Sequence, residues 1–223
     1  MTATARESLS PTARQLLVVA ERLFAEHGIA GVSLRQIAAE AGSSNNSAVR
    51  YHFGTKDDLL RAIFAFRLPE LLRRRALLRA RVHPDDVRGH FEAHVLPLLE
   101  LAEDPDSSYV SFVEQLLRAG DVHVFAGQDF VLRSHDELVT DLGPLLDHLP
   151  EPARTLRIQH VQVLSLHAAA ERERALRRDE TVVPFGLFVS ALVDGFTGFL
   201  TAPASASTTS ILSRAQPAHG PTG

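Results

Sequence analysis

The sequence predicts an all-α protein: a small N-terminal helix-turn-helix unit followed by a larger helical body. Three observations lead there. Apolar residues recur at spacings of three and four rather than two, and nothing reads as a strand meander. Helix start and stop signals punctuate the first eighty residues at short intervals. The charge is split, with 13 Lys and Arg against 7 Asp and Glu over residues 1–82, but 10 against 20 from residue 83 onward. A basic head on an acidic body is the pattern expected when the head meets phosphates and the body does not. Seen alone, the same excess also fits a solvated Arg-rich helix around residues 73–81.

The first helix opens at Ser10-Pro11, a capping hydroxyl followed by proline at the first helical position. Leu16, Ala20, Leu23, Phe24 and His27 share one face of it, and Gly28 ends it. The second helix starts at Ser33, with Gln36 completing an S-x-x-Q box and Val32 and Ile37 forming a hydrophobic staple. Its buried face is Leu34, Ile37, Ala38 and Ala41, and Gly42 stops it. After a polar turn, residues 47–53 form a brief helix with Val49 and Phe53 inward, broken by Gly54. Thr55 caps a fourth helix, with Asp57 and Asp58 favoured by its dipole, running to about residue 81 with a bend at Pro69. Further helices are expected at 85–103, 107–119, 131–148, 153–178 and 184–201, with bends at Pro97 and Pro144. The tail from Ala202, rich in Ala, Ser, Thr, Pro and Gly, is expected to be disordered. The organisation is thus a helix-turn-helix unit over 1–54, a helical body over 55–201 and a tail over 202–223.

Two short helices joined by a tight turn and clamped by a third place the second of the pair in a DNA major groove. Asn45, Asn46, Ser47 and Arg50 offer hydrogen bonds to base edges. Tyr51, His52 and Lys56 reach phosphates, as do the free N–H groups at the helix start at Ser33. The alternative for the aromatic run is core packing, which holds for Phe53 and is open for Tyr51 and His52.

The segments "AERLFAEHG", "SLRQIAAEAG" and "YHFGTKDDLLRAI", in that order within residues 16–67, resemble the DNA-binding domain of the tetracycline-repressor (TetR) family. The resemblance covers about a quarter of the chain. It implies an all-helical homodimer in which three N-terminal helices bind a double-stranded operator and about six more bind a ligand and the partner subunit. It also implies phosphate contacts from Tyr51 and Lys56, and base or phosphate contacts from the helix holding Ser47 and His52. The stretch from Ala41 to Phe53 is one residue longer than the common family pattern and resembles a subgroup with an Asn-Asn-Ser-Ala-Val turn.

The body carries no Walker loop, no G-x-S-x-G and no H-E-x-x-H, so no enzyme signature. No cysteine is present, which excludes disulfides and thiolate metal sites. No cofactor is implied. Phe91, Leu98, Phe112, Leu116, Phe125 and Phe130 are candidates to line a pocket for an apolar or aromatic small molecule, with plain core packing as the alternative. His90 and His94 have an i, i+4 spacing suited to a metal, but no third ligand is evident; local hydrogen bonding is the simpler reading for these and for His160 and His167.

Residues 182–202, "VVPFGLFVSALVDGFTGFLTA", carry a single charge over 21 residues. That length reaches a bilayer, yet a helix apolar all round is also what a subunit interface needs. The interface reading pairs this helix with the one before it. Leu156, Val163 and Leu164 from one, and Phe188, Leu192, Phe196 and Phe199 from the other, then build a four-helix bundle between two copies. The polar N-terminus and the cysteine-free composition suit a cytoplasmic protein without a membrane span. The leading expectation is a dimeric repressor released by a ligand. The competing one is a helical small-molecule-binding protein, or an enzyme, with a vestigial DNA-binding head.

Overall fold

The computed structural model describes residues 9–43, 45, 47–120 and 130–215, with side chains from 136 to 214 in the last stretch. Among them there are ten α-helices, one short 3-10 turn and no strand. The helices are α1 (Pro11–Gly31), α2 (Leu34–Glu40), α3 (Ala48–Phe53), α4 (Lys56–Arg79), α5 (Val87–Ala102), α6 (Tyr109–Ala119), α7 (Phe130–Leu142), α8 (Ala153–Arg177), α9 (Phe185–Thr201) and α10 (Ala206–Ala215).

Local signals set most of these boundaries. Ser10 Oγ accepts the Ala13 N–H at 3.2 Å, with Pro11 beginning the helix. Within α1, Gly28 takes φ +72°, so the regular helix breaks where its glycine was expected to stop it. Thr55 and Asp58 form a reciprocal capping box at the start of α4: each backbone N–H is accepted by the other side chain at 3.1 Å. Pro69 lies inside α4, and the helix continues past it. The single helix expected over 131–148 is instead divided. It stops at Leu142, and Gly143 leads into a 3-10 turn, Pro144–Leu146, because proline has no N–H to continue the ladder. The tail differs too: α10 forms where disorder was expected, while residues 216–223 lie outside the described residues.

Two hydrophobic clusters meet at α6. The first gathers Leu16, Leu23 and Phe24 of α1, Ile37 and Ala38 of α2, Val49 of α3 and Leu59, Leu60, Ile63 and Phe64 of α4. It is completed by Leu116, Tyr109 and Phe112 of α6; the rings of the last two pack on Phe24 and Phe64 at centroid distances of 5.5–6.2 Å. The core of the N-terminal unit therefore runs past residue 54. The second cluster joins α5, α7, α8 and α9 around Phe91, Leu99, Leu138, Ile158, Val161 and Val193, with Val110 of α6. One helix thus contributes to both cores, which fixes the N-terminal unit against the body.

Candidate DNA-binding surface

The turn between α2 and α3 is built by its own polar side chains. Gly42 takes φ +69°, a left-handed value open to glycine, and the Ser43 N–H reaches back to the Ala38 carbonyl at 3.0 Å, closing α2. Ser43 Oγ then accepts the Asn45 N–H at 3.2 Å, and Asn45 Oδ1 accepts the Ser47 N–H at 2.9 Å. The Asn45 carbonyl in turn accepts the first N–H of α3, from Ala48, at 2.9 Å. Asn45, expected at a base edge, has its side-chain oxygen committed to shaping the turn. Ser33 Oγ is likewise committed, accepting the Gln36 N–H at 3.1 Å as the α2 cap. Asn46 lies outside the described residues.

Packing decides which face of α3 is presented. Ala48 and Val49 are buried against the first core and Phe53 is half-buried, so Ser47, Arg50, Tyr51 and His52 are left exposed together. Tyr51 is 84 % exposed, more than any other large apolar or aromatic side chain described, and its ring meets only the edge of His52 at 5.2 Å among the described ring contacts. This is the brief helix and the face that the spacing predicts.

Lys56 sits differently from expectation. Its Nζ donates to the Ile29 carbonyl and stands 5.7 Å from the centre of the Phe24 ring. The reason is local: the break at Gly28 leaves carbonyls at the end of α1 that favour a cation. A phosphate contact from Lys56 requires another rotamer.

The charges around this face sort themselves. Arg22 pairs with Glu26 and Glu40, and Arg61 with Asp58. Most of the Arg-rich stretch of α4 is also paired: Arg73 with Glu70, Arg74 with Glu100 and Arg79 with Asp141. Arg35 of α2 and Arg50 of α3 are exposed and have no acidic partner among the described residues. Both are therefore open to a ligand's negative charge. Arg35 was missed by sequence reasoning, although its place two residues after the Ser33 cap puts it at the same helix start. Asp58 is held at a pKa of about 2 by the Thr55 side-chain hydrogen bond and then by Arg61, so the capping box stays charged.

The other expected site residues scatter. Phe91 lies in the body core and Phe112 and Leu116 lie in the first core, while Leu98 packs against both. Phe125 and the side chain of Phe130 lie outside the described residues. A cleft of about 360 Å³ between α4 and α5 is lined by Arg67, Glu70, Leu71, Arg74, Glu100 and Asp104 among others; it is charged rather than aromatic. His94 Nε2 is 3.5 Å from Gln162, while His90 Nε2 faces the Pro84 carbonyl at 3.2 Å, so the two histidines address different partners. His160 lies beside the Phe199 ring and His167 contacts Glu114 at 2.6 Å. Among the described residues no group of three or more His, Asp or Glu is placed to hold a metal.

Of the expected interface residues, Leu156, Val163 and Leu164 of α8 and Phe199 of α9 are exposed, as is Leu187. Phe188, Leu192 and Phe196 are half-buried on the body core, Phe196 edge-on to Phe91 at 5.9 Å. Among the described residues no single helix is long and apolar enough to cross a membrane, although α9 and α10, bent by 51°, pass that test as a pair.

Three packed helices that expose one polar helix face, joined to an all-helical body, have the geometry of a helix-turn-helix unit. Residues 16–63 match the family described as bacterial regulatory proteins, tetR family. The N-terminal unit is therefore similar to the DNA-binding domain of that family. The fold as a whole is similar to three solved structures. A transcriptional regulator from Rhodococcus sp. Rha1 is 20% identical with a TM-score of 0.56, covering 84% of this chain and 95% of that one. AmtR from Mycobacterium smegmatis is 21% identical with a TM-score of 0.56, covering 92% and 96%. The TetR-family regulator PfmR from Thermus thermophilus is 20% identical with a TM-score of 0.55, covering 85% and 99%. No curated protein sequence matches.

Proposed function

We propose that this protein is a transcriptional repressor that binds its operator as a homodimer and is released by a small molecule. The carrying observation is the face of α3, where Ser47, Arg50, Tyr51 and His52 stand exposed on a packed frame, with Arg35 exposed in the first turn of α2. Arg50 and Ser47 read base edges; Arg35, Tyr51 and a re-oriented Lys56 hold phosphates. Asn46 belongs to the same segment by its resemblance to the Asn-Asn-Ser-Ala-Val subgroup.

The dimer reading is supported by the exposed apolar side chains of α8 and α9, and by Gly195 and Gly198, where an added Cβ meets nothing within 4 Å. Such a surface suits a four-helix bundle between two copies. The effector, an apolar or aromatic small molecule, binds in the body, and Phe91 and Leu98 support that location. Its signal travels along α4. This helix has 24 residues, about 36 Å at 1.5 Å per residue. It begins beside α3 and is tied to the body by Arg74–Glu100 at 2.7 Å and Arg79–Asp141 at 2.6 Å. Moving its far end changes the separation of two recognition helices that DNA fixes at roughly 34–36 Å. A coupling of about 1–3 kcal/mol is enough for release.

The test is a gel shift with DNA from upstream of the protein's own gene, at two salt concentrations. Specific binding with a steep salt dependence, weakened in Arg35→Ala and Arg50→Ala, is expected. No binding at low salt favours the vestigial-head alternative instead.

A further inference from the structure

The first turn of α6, where the two cores meet, is held by two carboxylates from two different helices. Glu21 of α1, 1 % exposed, accepts the Ser108 N–H at 2.7 Å. Glu173 of α8, 2 % exposed, accepts the Ser111 N–H at 2.7 Å. A helix N-terminus presents unpaired N–H groups and the positive end of its dipole, which is why two buried acids are tolerated there.

Their compensation is unequal. Glu21 is gripped by both Nε and Nη2 of Arg67 at 2.8 Å, and Arg67 also donates to the Asp106 carbonyl. Glu173 Oε1 has no hydrogen bond among the described residues, and Arg177 Nη2 stands 3.5 Å from it. Ser111 Oγ and the Tyr109 hydroxyl are also buried without a hydrogen-bond partner among the described residues. The α8 side of the joint is therefore the weaker grip. Arg177 strengthens it by donating to the Ser107 carbonyl at 3.2 Å, so α8 holds both Ser107 and Ser111 while α1 holds Ser108.

We propose that Glu173 is a positioning residue that couples α8 to the DNA-binding unit through the first turn of α6. The inference rests on the reading of the chain as a DNA-binding dimer in which α8 faces the partner subunit. When Glu173 and Arg177 are both charged, α6 is clamped to α8, and through Glu21 and Arg67 the clamp fixes α1 and α4. When Glu173 is neutral the clamp slackens, the orientation of α3 broadens, and operator binding weakens because the two recognition helices are less well placed. The charged groups facing Glu173 are Arg177 on its own helix and Glu21 from α1, the latter paired with Arg67 of α4; Tyr109 on α6 is coupled to that Glu21–Arg67 pair. Burial raises the Glu173 carboxyl above its usual range, the Ser111 N–H and Arg177 oppose that, and the Glu21 charge adds to it.

The test compares the full chain with Glu173→Gln, which keeps the shape and an acceptor for the Ser111 N–H. Affinity for a labelled duplex from upstream of its own gene, its salt slope and the Tm are measured together. The expected result for Glu173→Gln is a loss of about fivefold or more in affinity. The salt slope should not change, because no phosphate contact is touched. The Tm should be unchanged or raised, because a poorly compensated buried charge is removed. Lowering the pH, which favours the neutral form of Glu173, moves the affinity of the unmodified chain toward that of the variant, which itself changes less. Arg177→Gln, at a half-buried position, weakens binding in the same direction. Affinity equal to or tighter than that of the unmodified chain overturns the inference, as does a loss that merely follows a lowered Tm. If the unmodified chain binds no such DNA, the functional reading fails and takes the inference with it; if it binds and the variant matches it, the inference alone fails.

Discussion

Replacing Arg67 with methionine leaves the Glu21 carboxylate in the core without its guanidinium. Side-chain exposures are 5 % for Arg67 and 2 % for Glu21, and the pair is bidentate at 2.8 Å, so water screens little of the interaction. Burial alone works against the Arg67 charge, but the hydrogen bonds and charge of Glu21 more than offset it, and its pKa is raised. Breaking a buried pair of this kind from one side costs about 3–5 kcal/mol. At roughly 2–4 °C per kcal/mol for a chain of this size, the Tm falls by on the order of 10 °C. The double variant Glu21→Leu with Arg67→Met removes the stranded charge. What remains is the Ser108 N–H without its acceptor, about 1–3 kcal/mol, and the Asp106 carbonyl without the Arg67 donor. Urea unfolding of the four chains of the cycle should therefore place the double variant above Arg67→Met in stability. A cost below about 1 kcal/mol for Arg67→Met, or a double variant less stable than either single one, would refute the reasoning.

Other outcomes are equally specific. Arg50→Ala should relax base preference at one position by about 1–3 kcal/mol, and an unchanged binding-site profile counts against that role. Arg35→Ala and Tyr51→Phe should weaken binding about equally on all sequences, with the Arg35 change lowering the salt slope by about one; altered base preference would reassign them. Val163→Glu, on the exposed face of α8, should give a monomer or an aggregate by light scattering, and an intact dimer would move the interface elsewhere. Asp58 is depressed to about 2 from 3.8, so the stability it lends to the start of α4 is full above about pH 4 and lost as the pH falls through 2. Asp58→Asn should remove that dependence from acid-unfolding curves; identical curves for both chains would exclude it.

Much of the frame is legible in the sequence because caps act within one turn. Ser10, Ser33 and Thr55 each start a helix with a hydroxyl that accepts an N–H three residues on, and the glycine that breaks α1 and the one that follows α2 lie where φ turns positive. The exposed face of α3 is legible for the same reason, since 3.6-residue periodicity decides which side chains turn inward. What escapes is set by distance along the chain. The Arg67–Glu21 pair spans 46 residues, and no local pattern points from one to the other. Periodicity shows that Phe91 and Phe112 are buried but not against what, so one expected pocket divides between two cores. Asn45 and Lys56 are polar residues in a DNA-facing segment, yet the turn and the end of α1 had unsatisfied groups that claimed them first. Leu192 and Phe196 have the spacing of interface anchors, but the body core takes part of their surface.

Footprinting of the DNA upstream of the gene tests the central claim most directly. A homodimer that presents two copies of α3 should protect a two-fold symmetric site, with half-sites about 10–10.5 base pairs apart or a multiple of that. Protection should fade in Arg50→Ala at positions within each half-site. A single unsymmetric patch, or no protected segment at salt low enough for non-specific binding to be seen, would contradict the account.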